Sequence, residues 1–250
     1  MTNDPGESMF GYERVDTAEK SRRVRGVFDA VADRYDVMND LMSGGLHRLW
    51  KRYAVTLLDV RADQDILDLA GGTADLTRLI ARRADGQARV WCSDINARML
   101  ARGRDRSIDG GCVDGVGYVQ ANAEQLPFAD NAIDRVIIGF GLRNVTHKRV
   151  ALAEMVRVLA PGGRAVILEF SSVRSPLLAR LYDSYSFNIL PRIGALVAGD
   201  EASYRYLAES IRVHPDQESL ALMMERAGFV GVRYHNLLAG VVAVHVGWKC

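Results

Sequence analysis

The stretch Ile66-Leu67-Asp68-Leu69-Ala70-Gly71-Gly72-Thr73-Ala74-Asp75, followed by Val90-Trp91-Cys92-Ser93-Asp94, decides the fold. A short apolar run enters a glycine loop. Helical spacing of Leu76, Leu79 and Ile80 follows, and a second apolar run then ends on a carboxylate. Strand, glycine loop, helix, strand, acid is the layout of folds that hold an adenosine-containing cofactor at the carboxyl ends of parallel strands. The glycines let backbone approach a ligand, and Asp94 suits acceptance of hydrogen bonds from ribose hydroxyls. The loop argues against a dinucleotide. A pyrophosphate site needs G-x-G-x-x-G, whereas here Asp75 opens the helix and would repel phosphate. Asp75 and Asp68 instead suit a cationic ligand. S-adenosylmethionine, with a sulfonium, an amino-acid head and no phosphate, is the cofactor this loop points to.

Outward from that unit the pattern alternates. Strands are predicted at 66–70, 89–94, 117–121, 133–140 and 164–170, and helices at 75–83, 97–106 and 147–159. Such alternation implies a parallel sheet with helices on both faces. Pro161-Gly162-Gly163 reads as a helix stop and turn. A helix at 215–227 ends at Gly228, and strands at 229–237 and 241–249 meet at Ala239-Gly240 as a hairpin. The expected fold class is α/β, the class I methyltransferase (Rossmann-like) arrangement: a mostly parallel seven-stranded sheet ending in an antiparallel hairpin. Before the first strand, Val24, Val27, Phe28, Val31 and Tyr35 recur at helical spacing, and a second helix runs through His47, Trp50 and Leu57. The expected organisation is a mobile segment at 1–18 and one methyltransferase domain at 19–250. That domain would carry lid helices at 19–60 and an apolar insertion at 172–214.

The balance of 32 basic against 31 acidic residues gives no electrostatic case for nucleic acid as a partner. Three distant cysteines suggest neither a disulfide framework nor a zinc site, and no histidine spacing suggests a metal. The amino terminus lacks a signal-peptide pattern and no apolar run reaches membrane-spanning length, so the expected location is the cytoplasm.

Asp68 and Asp94 lie one β-α-β unit apart, as two strand-end acids in a shared site would, although helix capping is their structural alternative. Asn122 and Ala123 follow the third strand, where they could read an adenine edge. Gly139-Phe140-Gly141-Leu142-Arg143-Asn144 follows the fourth, where small residues admit a cofactor and Phe140 can pack on it. Arg143 stays protonated, so it is suited to stabilising a developing phenolate or orienting a water. A structural ion pair explains it equally well. Tyr182, Tyr185, Phe187, Ile189 and Leu190 mark 177–197 as a packed lid or an apolar tunnel for a greasy substrate.

Taken together these residues resemble the ubiquinone/menaquinone biosynthesis C-methyltransferases, the UbiE and Coq5 family. The resemblance spans FGYERV at 10–15, YDVMNDLMS at 35–43, HRLWKR at 47–52, DLAGGTADLT at 68–77 and QANAEQLPFAD at 120–130. It continues through FGLRNV at 140–145, RVLAPGG at 157–163, YSFNILPRIG at 185–194, SYRYLAESIRVHPDQ at 203–217 and AGVVAVHVG at 239–247. The glycine loop and RVLAPGG recur across many methyltransferases; YDVMNDLMS, GLRNV and YRYLAESI are specific to this family. The resemblance implies transfer of a methyl group from S-adenosylmethionine to a ring carbon of a polyprenylated quinol. It leaves open peripheral contact with the inner membrane or other quinone-synthesis enzymes, and a homodimer. Without it, a non-catalytic cofactor-binding subunit and a small-molecule O- or N-methyltransferase remain alternatives. Expected cofactor contacts are Asp68, Gly71, Gly72, Thr73, Asp94, Ile95, Asn122, Ala123, Gly139, Phe140 and Tyr35. Arg143 is the expected catalytic residue, and His47, Asn144, Tyr182, Asn188 and Arg205 are expected substrate contacts. Two positions depart from the family's bacterial pattern: Ala74 replaces a glycine, and Gly139 stands where serine is common.

Overall fold

Ile66, Leu67 and Leu69 are all but inaccessible to solvent, and their side chains divide between two cores, one on each face of a sheet. In the computed structural model, which describes residues 7–31, 39–40, 43–174, 180 and 201–250, this strand is β3, Asp65–Leu69. The seven strands lie in the order β5-β4-β3-β6-β7-β9-β8. They comprise β4 (Arg89–Asp94), β5 (Val116–Gln120), β6 (Ile133–Gly139), β7 (Leu159–Phe170), β8 (Val230–Leu237) and β9 (Val242–Trp248). Only β9 is reversed, and it pairs antiparallel with both β7 and β8. β3 pairs parallel with β4 on one side and β6 on the other, so strand order turns about β3 and a crevice opens at its carboxyl end.

One core gathers Ile66, Ile137, Val166 and Val244 under α2 (His47–Leu58) and α3 (Asp75–Ala84). The other gathers Leu67, Val136, Ile138 and Ile167 under α5 (Lys148–Val158) and α7 (Gln217–Ala227). Alternate residues of β6 thus serve opposite cores, the period of two that a doubly covered sheet requires. α2 buries His47, Trp50, Lys51, Ala54, Val55 and Leu58, a single helical stripe. α4 (Ala97–Asp109) is capped by Asn96, whose side chain accepts from the Arg98 and Met99 N–H groups, and α7 by Asp216, which accepts from Ser219.

The expected strands are all present, within a residue or two except at β7. That strand begins at Leu159, so Pro161-Gly162-Gly163 lies inside the ladder as an irregularity and not ahead of it. A Cβ on Gly163 would stand 2.7 Å from the Ala160 carbonyl oxygen, which is why a glycine sits where the ladder shifts register. The amino-terminal expectation also changes. Residues 7–10 (β1) pair antiparallel with 13–16 (β2) in a hairpin, and α1 starts at Thr17 and is described to Val31. The hairpin is held because Phe10 stacks on Tyr206 at 4.2 Å and Val15 is buried. Tyr206 belongs to α6 (Glu201–Val213), the described helical part of the 172–214 insertion. The expected apolar stretch at 176–199 lies outside the described residues except Arg180, as do Tyr35, Tyr182 and Asn188.

α4 presses on the glycine loop through Gly103, where an added Cβ would stand 2.8 Å from the Gly72 carbonyl oxygen and 3.1 Å from the Ala74 Cβ. Gly103→Ala is therefore expected to lower stability by about 1–3 kcal/mol. Gly26→Ala, in a helix with nothing within 4 Å of the new methyl, is expected to be neutral or slightly stabilising. Urea unfolding of the two variants makes the comparison.

Candidate active site

β3 ends in a loop that turns sharply because Ala70, Gly72 and Ala74 all take left-handed backbone angles (φ 53, 53 and 62°). Such angles cost a residue with a Cβ about 1–2 kcal/mol, and strain of this kind is commonly stored where a ligand is clamped. The loop is fastened to the next strand end. Gly71 N–H donates to the Ser93 carbonyl at 2.9 Å, and Gly72 N–H donates to Asp94 Oδ2 at 3.0 Å. The second Asp94 oxygen accepts from the Asn96 N–H at 2.8 Å. Burial pushes the Asp94 carboxyl up to about 6, against the pull of those backbone donors.

A cavity of about 330 Å³ opens beside Asp94. Its floor comes from the ends of β3, β4, β5 and β6: Ala70 and Gly72, Asp94 and Ile95, Asn122 and Ala123, Phe140 and Gly141. Thr17, Ser21, Val24 and Phe28 of α1 supply a wall. α1 is tied across the opening at two points. Asn96 Nδ2 donates to Asp29 Oδ1 at 2.9 Å, and the buried Lys20 ammonium donates to Ser8 Oγ (3.2 Å) and the Val145 carbonyl (3.4 Å). Burial, reinforced by Lys148, lowers the Lys20 pKa to about 7.

Of the expected cofactor contacts, the structure brings Gly72, Asp94, Ile95, Asn122, Ala123 and Phe140 together around this cavity. Asp68, Gly71, Thr73 and Gly139 stand behind it. Asp68 is fully buried and accepts from the Thr77 N–H (2.9 Å) and hydroxyl (2.6 Å), so it braces the first turn of α3, and burial raises its carboxyl to about 7. Gly71 leaves room for the Asp68 carboxylate and the Cys92 sulfur, each 2.8 Å from where its Cβ would be. Gly139 leaves room for Leu76, 2.6 Å from its own missing Cβ, so its smallness serves packing and not close approach of a ligand. Thr73 is buried with its hydroxyl unpartnered among the described residues.

Of the described substrate candidates, Asn144 lines the cavity and accepts from the Tyr206 hydroxyl at 3.1 Å. Arg205 is exposed on α6, away from the cavity lining, and His47 faces a different cavity. Among the described residues the first expected lid helix, α1, covers the site, while α2 packs into the core. What sequence reasoning missed is which α1 side chains form that wall, together with Asn96, Met99, Glu124, Thr146 and His147. The helical spacing of Val24 and Phe28 signalled that this face was covered, but not by what.

Arg143 was expected at the reacting oxygen. Its side chain is instead buried away from the cavity lining, where one guanidinium nitrogen donates to Glu169 Oε1 (2.8 Å) and to the Phe140 carbonyl (2.6 Å). Its backbone N–H donates to the other Glu169 oxygen at 3.2 Å, and its guanidinium lies over Phe170. Of its two readings, the structural ion pair is the one the geometry holds.

Comparison with known proteins names the family. The model of the ubiE/COQ5 methyltransferase family matches residues 16–249. The chain belongs to the ubiE/COQ5 methyltransferase family. It is 58% identical over 240 residues to the ubiquinone/menaquinone biosynthesis C-methyltransferase UbiE of Methylococcus capsulatus, covering 96% of this chain and 97% of the relative. It is 55% identical over 249 residues to the UbiE of Legionella pneumophila, covering 100% of both. A solved S-adenosylmethionine-dependent methyltransferase from Thermotoga maritima shares the fold with a TM-score of 0.63 at 18% identity, covering 90% of this chain and 99% of that one. The UbiE-family chain is thus an S-adenosylmethionine-dependent methyltransferase.

In this UbiE-family member Ala74, in place of glycine, still adopts the left-handed angle, so the loop keeps its course at some cost in strain. The Arg143–Glu169 pair is what pins the turn after β6. Glu169→Ala leaves a guanidinium buried without its partner and is expected to cost about 3–5 kcal/mol. Arg143→Met combined with Glu169→Met removes both charges and is expected to cost much less. Equal losses in urea midpoint for the single and double variants would contradict the buried pair.

Proposed function

We propose that this chain transfers the methyl group of S-adenosylmethionine to a ring carbon of a reduced polyprenylated quinol, the C-methylation step of ubiquinone or menaquinone synthesis. The observation that carries the cofactor half is the Asp94 carboxylate, held open to the cavity by the Gly72 and Asn96 N–H groups beside a loop that offers no phosphate site. The acceptor half rests on family membership over residues 16–249.

The residues fit the cofactor's chemistry. Asp94 would accept from its ribose hydroxyls, Ile95, Ala123 and Phe140 would offer an apolar slot for its adenine, and Asn122 would read the adenine edge. Gly72 presents bare backbone, and the buried, unpartnered Thr73 hydroxyl leaves one donor available nearby. Bound there, S-adenosylmethionine supplies an electrophilic methyl on a sulfonium centre. The protein's part is to fix an in-line approach and keep water out, because a methyl cation equivalent has no proton to manage at the donor side. α1 excludes water through Val24 and Phe28. On the acceptor side, Asn144, oriented by Tyr206, is placed to hold a quinol oxygen. Arg143 acts through the turn it pins, as a positioning residue. The quinol ring carbon ortho to an ionised oxygen would take the methyl as the sulfonium–methyl bond breaks, leaving S-adenosylhomocysteine, and the ring would then lose its proton to water. Among the described residues no helix is long and apolar enough to cross a membrane.

Incubation with labelled S-adenosylmethionine and dithionite-reduced demethylmenaquinol or 6-methoxy-benzoquinol is expected to give a ring-methylated product. Label on oxygen or nitrogen, or cofactor binding without product, would sink the proposal.

Asp94 also sets a pH dependence. Its folded pKa, near 6, exceeds the ordinary 3.8, so the folded state holds the proton more tightly. Alone, Asp94 therefore lowers stability as pH rises between those values. Ribose donors prefer the carboxylate, so cofactor affinity has the opposite sign. It should fall by roughly tenfold per pH unit below about 6 and level off above it. Calorimetric titration of S-adenosylhomocysteine against pH checks this, with Asp94→Asn expected to bind weakly and without the inflection.

A further inference from the structure

A second cavity, of about 270 Å³, opens among α2, α3 and α4 and shares no lining residue with the first. Its walls carry Arg48, Lys51, Arg52, Arg78, Arg82 and Arg106. Asp75 is the single carboxylate among the described lining residues, and it is already engaged by Lys51 (2.8 Å), Arg78 (2.7 Å) and Arg106 (3.5 Å). Burial opposes its ionisation, yet Lys51, Arg106 and Arg78 overcome that and hold its carboxyl at about 2. Arg52 and Arg82 are exposed and make no ion pair among the described residues. His47, buried at 3% exposure, shares Nε2 with Asp40 (2.9 Å), and its Nδ1 has no partner among the described residues.

Arg48 is held by Asp40 at 2.7 Å, just outside the lining, so six cations face two acids, still a local concentration in a chain whose totals nearly cancel. A solvated basic face would be convex with its side chains free. Here the groups ring a concavity, and Lys51 is only 6% exposed. Guanidinium forks match the geometry of phosphate oxygens, and a fixed ammonium adds a point charge. We propose that this cavity binds a phosphoryl group, as free phosphate or as the headgroup of an anionic phospholipid. The inference does not rest on the methyl-transfer reading, since the residues involved are outside the cofactor cavity.

The test uses the full chain and an Arg52→Gln/Arg82→Gln variant, which removes two exposed cations without breaking an ion pair. Inorganic phosphate is titrated by thermal shift against potassium chloride of equal ionic strength. Co-sedimentation is measured with phosphatidylcholine vesicles, with and without phosphatidylglycerol. A saturable response to phosphate, or sedimentation that requires phosphatidylglycerol, is expected for the parent chain and should weaken by about tenfold or more in the variant. Phosphate response alone assigns a free phosphoryl ligand; lipid-dependent sedimentation assigns the headgroup. The proposal is overturned if neither occurs, or if the variant behaves like the parent. Methyl transfer to a short-chain, water-soluble quinol should be unchanged in the variant, so failure here leaves the proposed function standing.

Discussion

The Gly72 N–H donates to the Asp94 carboxylate across 3.0 Å, and with the Gly71 N–H on the Ser93 carbonyl beside it this hydrogen bond joins the ends of two adjacent parallel strands. It fixes the course of the loop between β3 and α3, which runs through three left-handed residues that would otherwise relax. It also holds a carboxylate at the rim of a crevice where desolvation disfavours its charge. A ligand offering two hydroxyls relieves that desolvation; one offering phosphate worsens it. The cofactor preference of the fold is in this sense electrostatic before it is steric.

Around that bond the protein arranges two further constraints. The first is close packing beneath the loop, where Gly71 clears Asp68 and Cys92 and Gly103 lets α4 touch the Gly72 carbonyl. The loop therefore cannot move without moving α4, whose capping residue Asn96 both supports Asp94 and grips α1 through Asp29. The second is the buried Arg143–Glu169 pair, which secures the turn carrying Phe140 and Asn144. Burying such a pair contributes little net stability, because desolvation offsets most of the attraction. Its effect is to make one arrangement of the turn much better than any other.

Charge is distributed unevenly over this nearly neutral chain. The cavity beside Asp94 sets Asp94 and Glu124 against Arg25 and His147, while the cavity between α2, α3 and α4 gathers six cations around Asp75. Asp75 opens α3, one residue beyond the loop, and is part of the basic cavity. The same acid that spoils the loop for pyrophosphate organises Lys51, Arg78 and Arg106 around itself.

Local chemistry alone determined the order and type of the sheet's elements. Apolar runs of period two or unbroken burial, glycine loops and Asn or Asp caps act over a few residues, so β3 through β9 and α3, α4, α5 and α7 could be read with little error, whereas α6 lay unread inside the expected apolar insertion. The strand-end positions of Asp94, Asn122 and Phe140 followed from the same reading, and the structure brings them to one cavity. Side-chain direction was another matter. Arg143 and Asn144 are neighbours in sequence, yet one turns inward to Glu169 and the other faces the cavity, because β7 and α6 supply their partners from 26 and 62 residues away. His47 and Asp68 were drawn off in the same way, by a basic cavity and by the first turn of α3. The hairpin at 7–16 depended on Tyr206, and the α1 wall on Asn96 and Val145. The sequence thus determined which elements form and which strand ends converge, since those follow from short-range periodicity and turn geometry. Which face of each loop meets the ligand was decided only by tertiary packing, since buried polar groups take whatever partner the distant chain brings within reach.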